Sequence, residues 1–83
     1  MKKNIYAIFD KKANEYRFQI QEANDAVAVR QVTNAVNDND SKSELSLNYE
    51  DFQLYKLGTI DTTTGVLESK IEFMHNLAEF KRV

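Results

Sequence analysis

The feature that most constrains this chain is the run Phe52-Gln53-Leu54-Tyr55-Lys56-Leu57-Gly58-Thr59-Ile60-Asp61, with Thr64-Gly65 behind it. Residues 52–57 read as a strand. Asp61-Thr62-Thr63-Thr64-Gly65 reads as a tight turn with Gly65 at positive φ, and Val66 to Ser69 returns as the partner strand. A chain that commits to this hairpin must find further strands to pair with, because an isolated two-stranded hairpin is marginal in water.

The N-terminal half supplies them. Residues 4–9 place Ile5, Ala7 and Phe9 on one side and Tyr6 and Ile8 on the other, apolar on both, as expected of a central strand. After the polar stretch Asp10-Lys11-Lys12-Ala13-Asn14, Tyr16, Phe18 and Ile20 alternate with Arg17, Gln19 and Gln21, the pattern of a half-buried strand. These two segments are expected to form a hairpin.

Asn24 has the side chain of an N-cap, and Asp25 suits the positive end of a helix dipole. The helix is expected to run to about Asn37, with Ala26, Val29, Val32 and Val36 on its apolar stripe and Val27, Ala28 and Ala35 widening it. Residues 37–51 are polar and turn-prone and read as a long loop, with a short turn near Leu45 and Leu47. Phe73, Leu77 and Phe80 recur at spacings of four and three, which predicts a short C-terminal helix over 72–80. The expected order is therefore β-β-α-β-β-α. The expected fold is an α+β two-layer sandwich, a four-stranded, mainly antiparallel sheet with two helices on one face.

With 83 residues the chain is read as one domain, 1–83, whose folding buries on the order of 60–65% of its surface. It has no cysteine to staple so small a core, so oligomerisation is expected to supplement it, and a homodimer is the favoured form, with Tyr16 and Tyr55 as candidate contacts. The absence of thiols fits a reducing cytoplasm. Met1-Lys2-Lys3 precedes apolar residues, but Asp10-Lys11-Lys12 ends that stretch before a signal-peptide core is complete, and no membrane association is expected.

Chemistry-bearing motifs are few. His75 is the only histidine and has no cysteine beside it, so no conventional zinc site is expected. Asp38, Asp40, Glu50 and Asp51 lack the glycine and spacing of a calcium loop and read as a solvated acidic segment. Ser41, Ser43 and Ser46 have no general base nearby in sequence, and two glycines build no phosphate-binding loop. No catalytic residue, metal or cofactor is expected, and the chain is read as a non-enzyme.

Eleven basic against thirteen acidic residues give a net charge of −2, which excludes a uniformly basic surface for duplex DNA. The charge is segregated, with Lys2, Lys3, Lys11, Lys12 and Arg17 crowded into the first seventeen residues. Tyr6 follows Lys2 and Lys3, Tyr16 adjoins Arg17, and Tyr55 adjoins Lys56. This interleaving suits single-stranded nucleic acid, whose bases stack on aromatic rings while cations follow the phosphates. Lys2, Lys3, Tyr6, Lys11, Lys12, Tyr16, Arg17, Tyr55 and Lys56 are the candidate contacts.

Four segments together resemble the small non-structural protein of gokushovirus-type microviruses, which are single-stranded DNA phages. They are Ile5-Tyr6-Ala7-Ile8-Phe9-Asp10 with Lys12-Ala13; Asn24 to Arg30; Asp51 to Gly58 with Asp61, Thr64 and Gly65; and Glu72-Phe73 to Phe80. The resemblance implies a role in the viral DNA cycle in the bacterial host cytoplasm, as a single-stranded DNA-binding accessory in genome synthesis or packaging. It brings no catalytic residues. The alternative expectation is a protein-interaction module that binds a viral or host replication protein, which the acidic balance favours.

Overall fold

A computed structural model describes residues 1–38 and 43–82. Strands β1 (Lys2–Asp10) and β2 (Glu15–Glu22) precede helix α1 (Asp25–Val36). A short helix α2 (Glu44–Leu47) and a 3-10 turn (Tyr49–Asp51) follow, then β3 (Phe52–Asp61), β4 (Leu67–Asn76) and a second 3-10 turn (Leu77–Phe80). The strands form one sheet of order β2-β1-β3-β4, antiparallel at every pairing. This is the expected α+β class, with β1 and β3 central.

The hairpin turn works as its residues dictate. Asp61 Oδ1 accepts from the Thr63 and Thr64 N–H groups at 2.9 and 3.3 Å, and Gly65 takes φ +79. Gly58 is required for a different reason. At φ +149 it lies so close to β4 that a Cβ would stand 2.0 Å from the Glu68 carbonyl oxygen.

Helix α1 begins where expected, with the Val27 N–H donating to Asn24 Oδ1 at 3.0 Å. Its buried line is Ala28, Val32 and Val36, with Val29 half-buried and Ala26 exposed, so the stripe is rotated from the sequence reading. Each fully buried valine contributes roughly 1.5–3 kcal/mol of transfer free energy. The helix lies on Tyr6, Ile8, Phe52 and Leu54 of the central strands, with Leu77 from the C-terminal turn closing the same core. Leu45 of α2 and Tyr49 pack against this core too, which places both helices on one face.

Three sequence expectations are corrected. The second helix is α2, at the site of the expected short turn, and not a helix over 72–80: residues 72–76 belong to β4, and Leu77–Phe80 is one 3-10 turn. Phe73 therefore does not share a stripe with Leu77 and Phe80; it is 50% exposed, while Leu77 is fully buried. The physical reason is pairing: Tyr55↔Phe73 and Leu54↔His75 place these residues in the β3–β4 ladder, whose hydrogen bonds outweigh a weak helical period.

The third correction concerns β2. Phe18 sits at φ +55, and the register jumps from Ile8↔Arg17 to Tyr6↔Ile20, so an extra residue bulges out of the strand. The bulge breaks the alternation. Tyr16 pairs with Phe9, whereas Phe18 packs edge-on against buried Phe52 at 6.4 Å on the helix side. Asp40 and Ser41 of the polar loop lie outside the described residues.

Candidate nucleic-acid interface

Successive residues of a strand point to opposite faces, so β1 turns Tyr6, Ile8 and Asp10 toward the helices and Ile5, Ala7 and Phe9 away from them. Neighbouring strands follow through the register Phe9↔Tyr16, Ala7↔Tyr55 and Tyr55↔Phe73. One aromatic side chain from each strand thus reaches the face that no helix covers.

The four rings touch in a continuous row. Tyr16 and Phe9 have centroids 4.9 Å apart, Phe9 and Tyr55 6.0 Å, Tyr55 and Phe73 5.6 Å, and Tyr16 meets Tyr55 edge-on at 5.4 Å. Tilted and edge-to-face pairs of this kind are favourable and hold each ring in place. Ala7, opposite Tyr55, is almost fully buried on this otherwise open face, and its small side chain leaves the rings room to converge. Tyr16 and Phe73, at the two ends, are the most exposed members.

The cations distribute unevenly around this row. Lys11 and Lys12 are exposed in the turn joining the strands of Phe9 and Tyr16, and Lys3 shares the alternation of Ile5 and Phe9. Among the described residues these three enter no ion pair. Lys2 stands 3.5 Å from Glu68 in an exposed pair.

The remaining candidates lie on the helix side. The Arg17 guanidinium contacts Asp10 at 2.9 Å and Glu44 at 2.6 Å and covers the Phe18 ring at 4.7 Å, tying the first hairpin to α2. Backbone N–H groups of Ala13 and Lys12, with Arg17, hold the Asp10 carboxyl below its ordinary value. Its two carboxylate partners push the Arg17 guanidinium further up.

Tyr6 is fully buried. Its hydroxyl donates to Asp25 Oδ1 and accepts from Asn4 Nδ2 at 3.0 Å, and Lys56 lies 3.0 Å from the same Asp25 oxygen. Burial first, and the bond to Asp25 second, raise the Tyr6 phenol to about 12. The Tyr6 bond and Lys56 keep Asp25 ionised, below the usual carboxylate range. Tyr6, Arg17 and Lys56 therefore anchor the helix layer, and Tyr6 has no ring face to offer a ligand.

Of the nine candidates the structure brings Tyr16 and Tyr55 together. It adds Phe9 and Phe73, which the sequence reading did not include. The parity of Ile5, Ala7 and Phe9 contained the signal for Phe9, whereas Phe73 was hidden by its helix-like spacing. Tyr16 and Tyr55 meet within one chain, as members of the same row.

Beyond the N-terminus of α1 the helix side is polar, a groove of about 370 Å³ lined by Asn4, Lys56, Thr59, Glu68, Lys70 and Glu72. Among the described residues, no group of three or more acidic, histidine or cysteine side chains is placed to hold a metal ion, and no helix is long and apolar enough to cross a membrane.

A family model described as Phage ORF5 protein matches residues 3–80. No curated protein and no solved structure matches the chain.

Proposed function

We propose, for a chain that belongs to the Phage ORF5 protein family and so is a bacteriophage protein, that it is a non-enzymatic accessory binding single-stranded DNA on the open face of its sheet. The observation that carries this reading is the four-ring row Tyr16–Phe9–Tyr55–Phe73, which spans every strand on the face the helices leave free. Bases stack on such rings with little regard to sequence, at about 1–3 kcal/mol per base. Lys11 and Lys12 beside the row, and Lys3 along β1, supply the phosphate contacts.

The setting we propose is genome synthesis or packaging in the cytoplasm of the bacterial host, in a gokushovirus-type microvirus. Single strands exist there, and an acidic protein with a local cationic end can engage them without coating duplex DNA. Fluorescence anisotropy with labelled single-stranded oligonucleotides at low and moderate salt tests this. Binding that weakens as salt rises, and that is lost in the Lys11→Ala, Lys12→Ala double variant, is the expected result. Absence of binding at low salt overturns it.

The second reading, a module that docks on a viral or host replication protein, is favoured by the apolar Ile5, Leu67 and Ile71 around the same row and by the net charge of −2. A replication protein retained on the immobilised chain, and released by Phe73→Ala with no oligonucleotide binding, would select it.

A further inference from the structure

We infer that a second copy of this chain pairs along the free edge of β4, joining two sheets into one of eight strands. Every residue from Leu67 to Phe73 is exposed, and this strand holds three of the large apolar side chains left in water: Leu67 at 65%, Ile71 at 60% and Phe73 at 50%. The opposite edge is less suited. Both edge strands carry bulges, but that of β2 holds Phe18 at positive φ with its ring turned to the helix side, and its Arg17 and Glu22 are engaged by Glu44 and Gln31.

The extra residues that β4 carries against β3 fall at Met74 and opposite the Leu57–Gly58 corner. The second of these lies between Ser69 and Glu72, within the exposed stretch; Glu68, Lys70 and Glu72 line the polar groove, which Ser69 also borders, while Leu67, Ile71 and Phe73 lie outside it. A seven-residue strand of this kind presents one apolar and one charged row to whatever lies beside it.

The charge order makes that neighbour a second copy. In an antiparallel pair with its two-fold axis at Ser69, Glu68 stands opposite the partner's Lys70, and Leu67 opposite the partner's Ile71, each twice by symmetry. Moving the axis to Lys70 sets that lysine against itself and Glu68 against the partner's Glu72, which repel. The pairs made within one chain, Lys70–Glu72 at 3.3 Å and Lys2–Glu68 at 3.5 Å, are exposed and weak enough to rearrange.

An axis normal to the sheet keeps both helix layers on one side and both aromatic rows on the other. The pairing stands without the DNA reading. Where that reading holds, the dimer doubles the stacking surface and the single-strand length it engages.

The chain has no cysteine, so single substitutions report the register directly. Without DNA, light scattering is expected to give twice the 9.6 kDa chain mass. Ser69→Cys, on the two-fold axis, is expected to form a disulfide-linked dimer under mild oxidation at least tenfold faster than Lys70→Cys, whose thiols are offset along the strands. Ile71→Lys, at an exposed site, is expected to keep the circular dichroism spectrum and give the single-chain mass. A single-chain mass for the unmodified protein, equal cross-linking at 69 and 70, or an intact dimer in Ile71→Lys would each overturn the pairing.

Discussion

The Tyr6 hydroxyl donates to Asp25 Oδ1 at 2.5 Å, joining the middle of β1 to the first residue of α1. Lys56 of β3 reaches the same oxygen, so one carboxylate ties two strands to a helix start. Tyr6→Phe removes the donor without emptying the core and leaves Asp25 underbonded. The expected loss is about 1–3 kcal/mol, read as a lower urea midpoint at unchanged m.

Burial of the Tyr6 phenol, with its bond to Asp25 second, sets an alkaline limit. Tyr6 titrates near 10 in the unfolded chain and at about 12 in the folded one, so the folded state holds its proton over that interval. Its contribution is fully present below about pH 10 and falls away as pH rises toward 12. Stability measured by urea titration is expected to decline over this window, and to decline less in Tyr6→Phe.

On the acid side the sign reverses. Asp10, Asp25 and Asp61 are all held below the ordinary value of 3.8, by backbone N–H groups at Asp10 and Asp61 and by Tyr6 at Asp25. Their stabilisation is present above that value and lost as pH falls through the lowered ones. Acid unfolding followed by circular dichroism is expected to start at higher pH in Asp10→Asn, which keeps the shape but weakens the contacts to Arg17 and the turn.

Gly58 has two reasons to be glycine, its φ of +149 and the Glu68 carbonyl oxygen 2.0 Å from where a Cβ would stand. Gly58→Ala must push β4 away from β3 or unwind the corner. Backbone strain alone costs on the order of 1–3 kcal/mol, and the clash adds to it. Thermal unfolding should show a large fall in midpoint, against a small one for Gly65→Asn, whose site has open space and a φ of +79 that asparagine tolerates.

If bases stack on the open face, its most exposed rings carry binding with little structural role. Tyr16→Ala and Phe73→Ala are each expected to weaken oligonucleotide affinity about tenfold or more, near 1.4 kcal/mol, with modest effect on stability. Anisotropy titrations at fixed salt measure it; unchanged affinity in both variants would remove the row from the interface.

Local chemistry was legible in the sequence because its causes lie within a few residues. Asn24 caps α1 through its own side chain, Asp61 and Gly65 build the turn from adjacent backbone, and the apolar alternation of residues 4–9 marks a central strand. Pairing was not legible. Phe73, Leu77 and Phe80 satisfy a helical spacing as readily as a strand followed by a turn, and only the β3 ladder selects the strand. Tyr6, Tyr16 and Tyr55 carry the same side chain in sequence; the helix layer buries the first, and register gathers the other two beside Phe9 and Phe73. Arg17 read as a free cation until the fold brought Asp10 and Glu44 to it from seven and twenty-seven positions away. Periodicity and capping act through neighbours along the chain, whereas which face a ring meets and which charge finds a partner depend on contacts that exist only once the strands have paired.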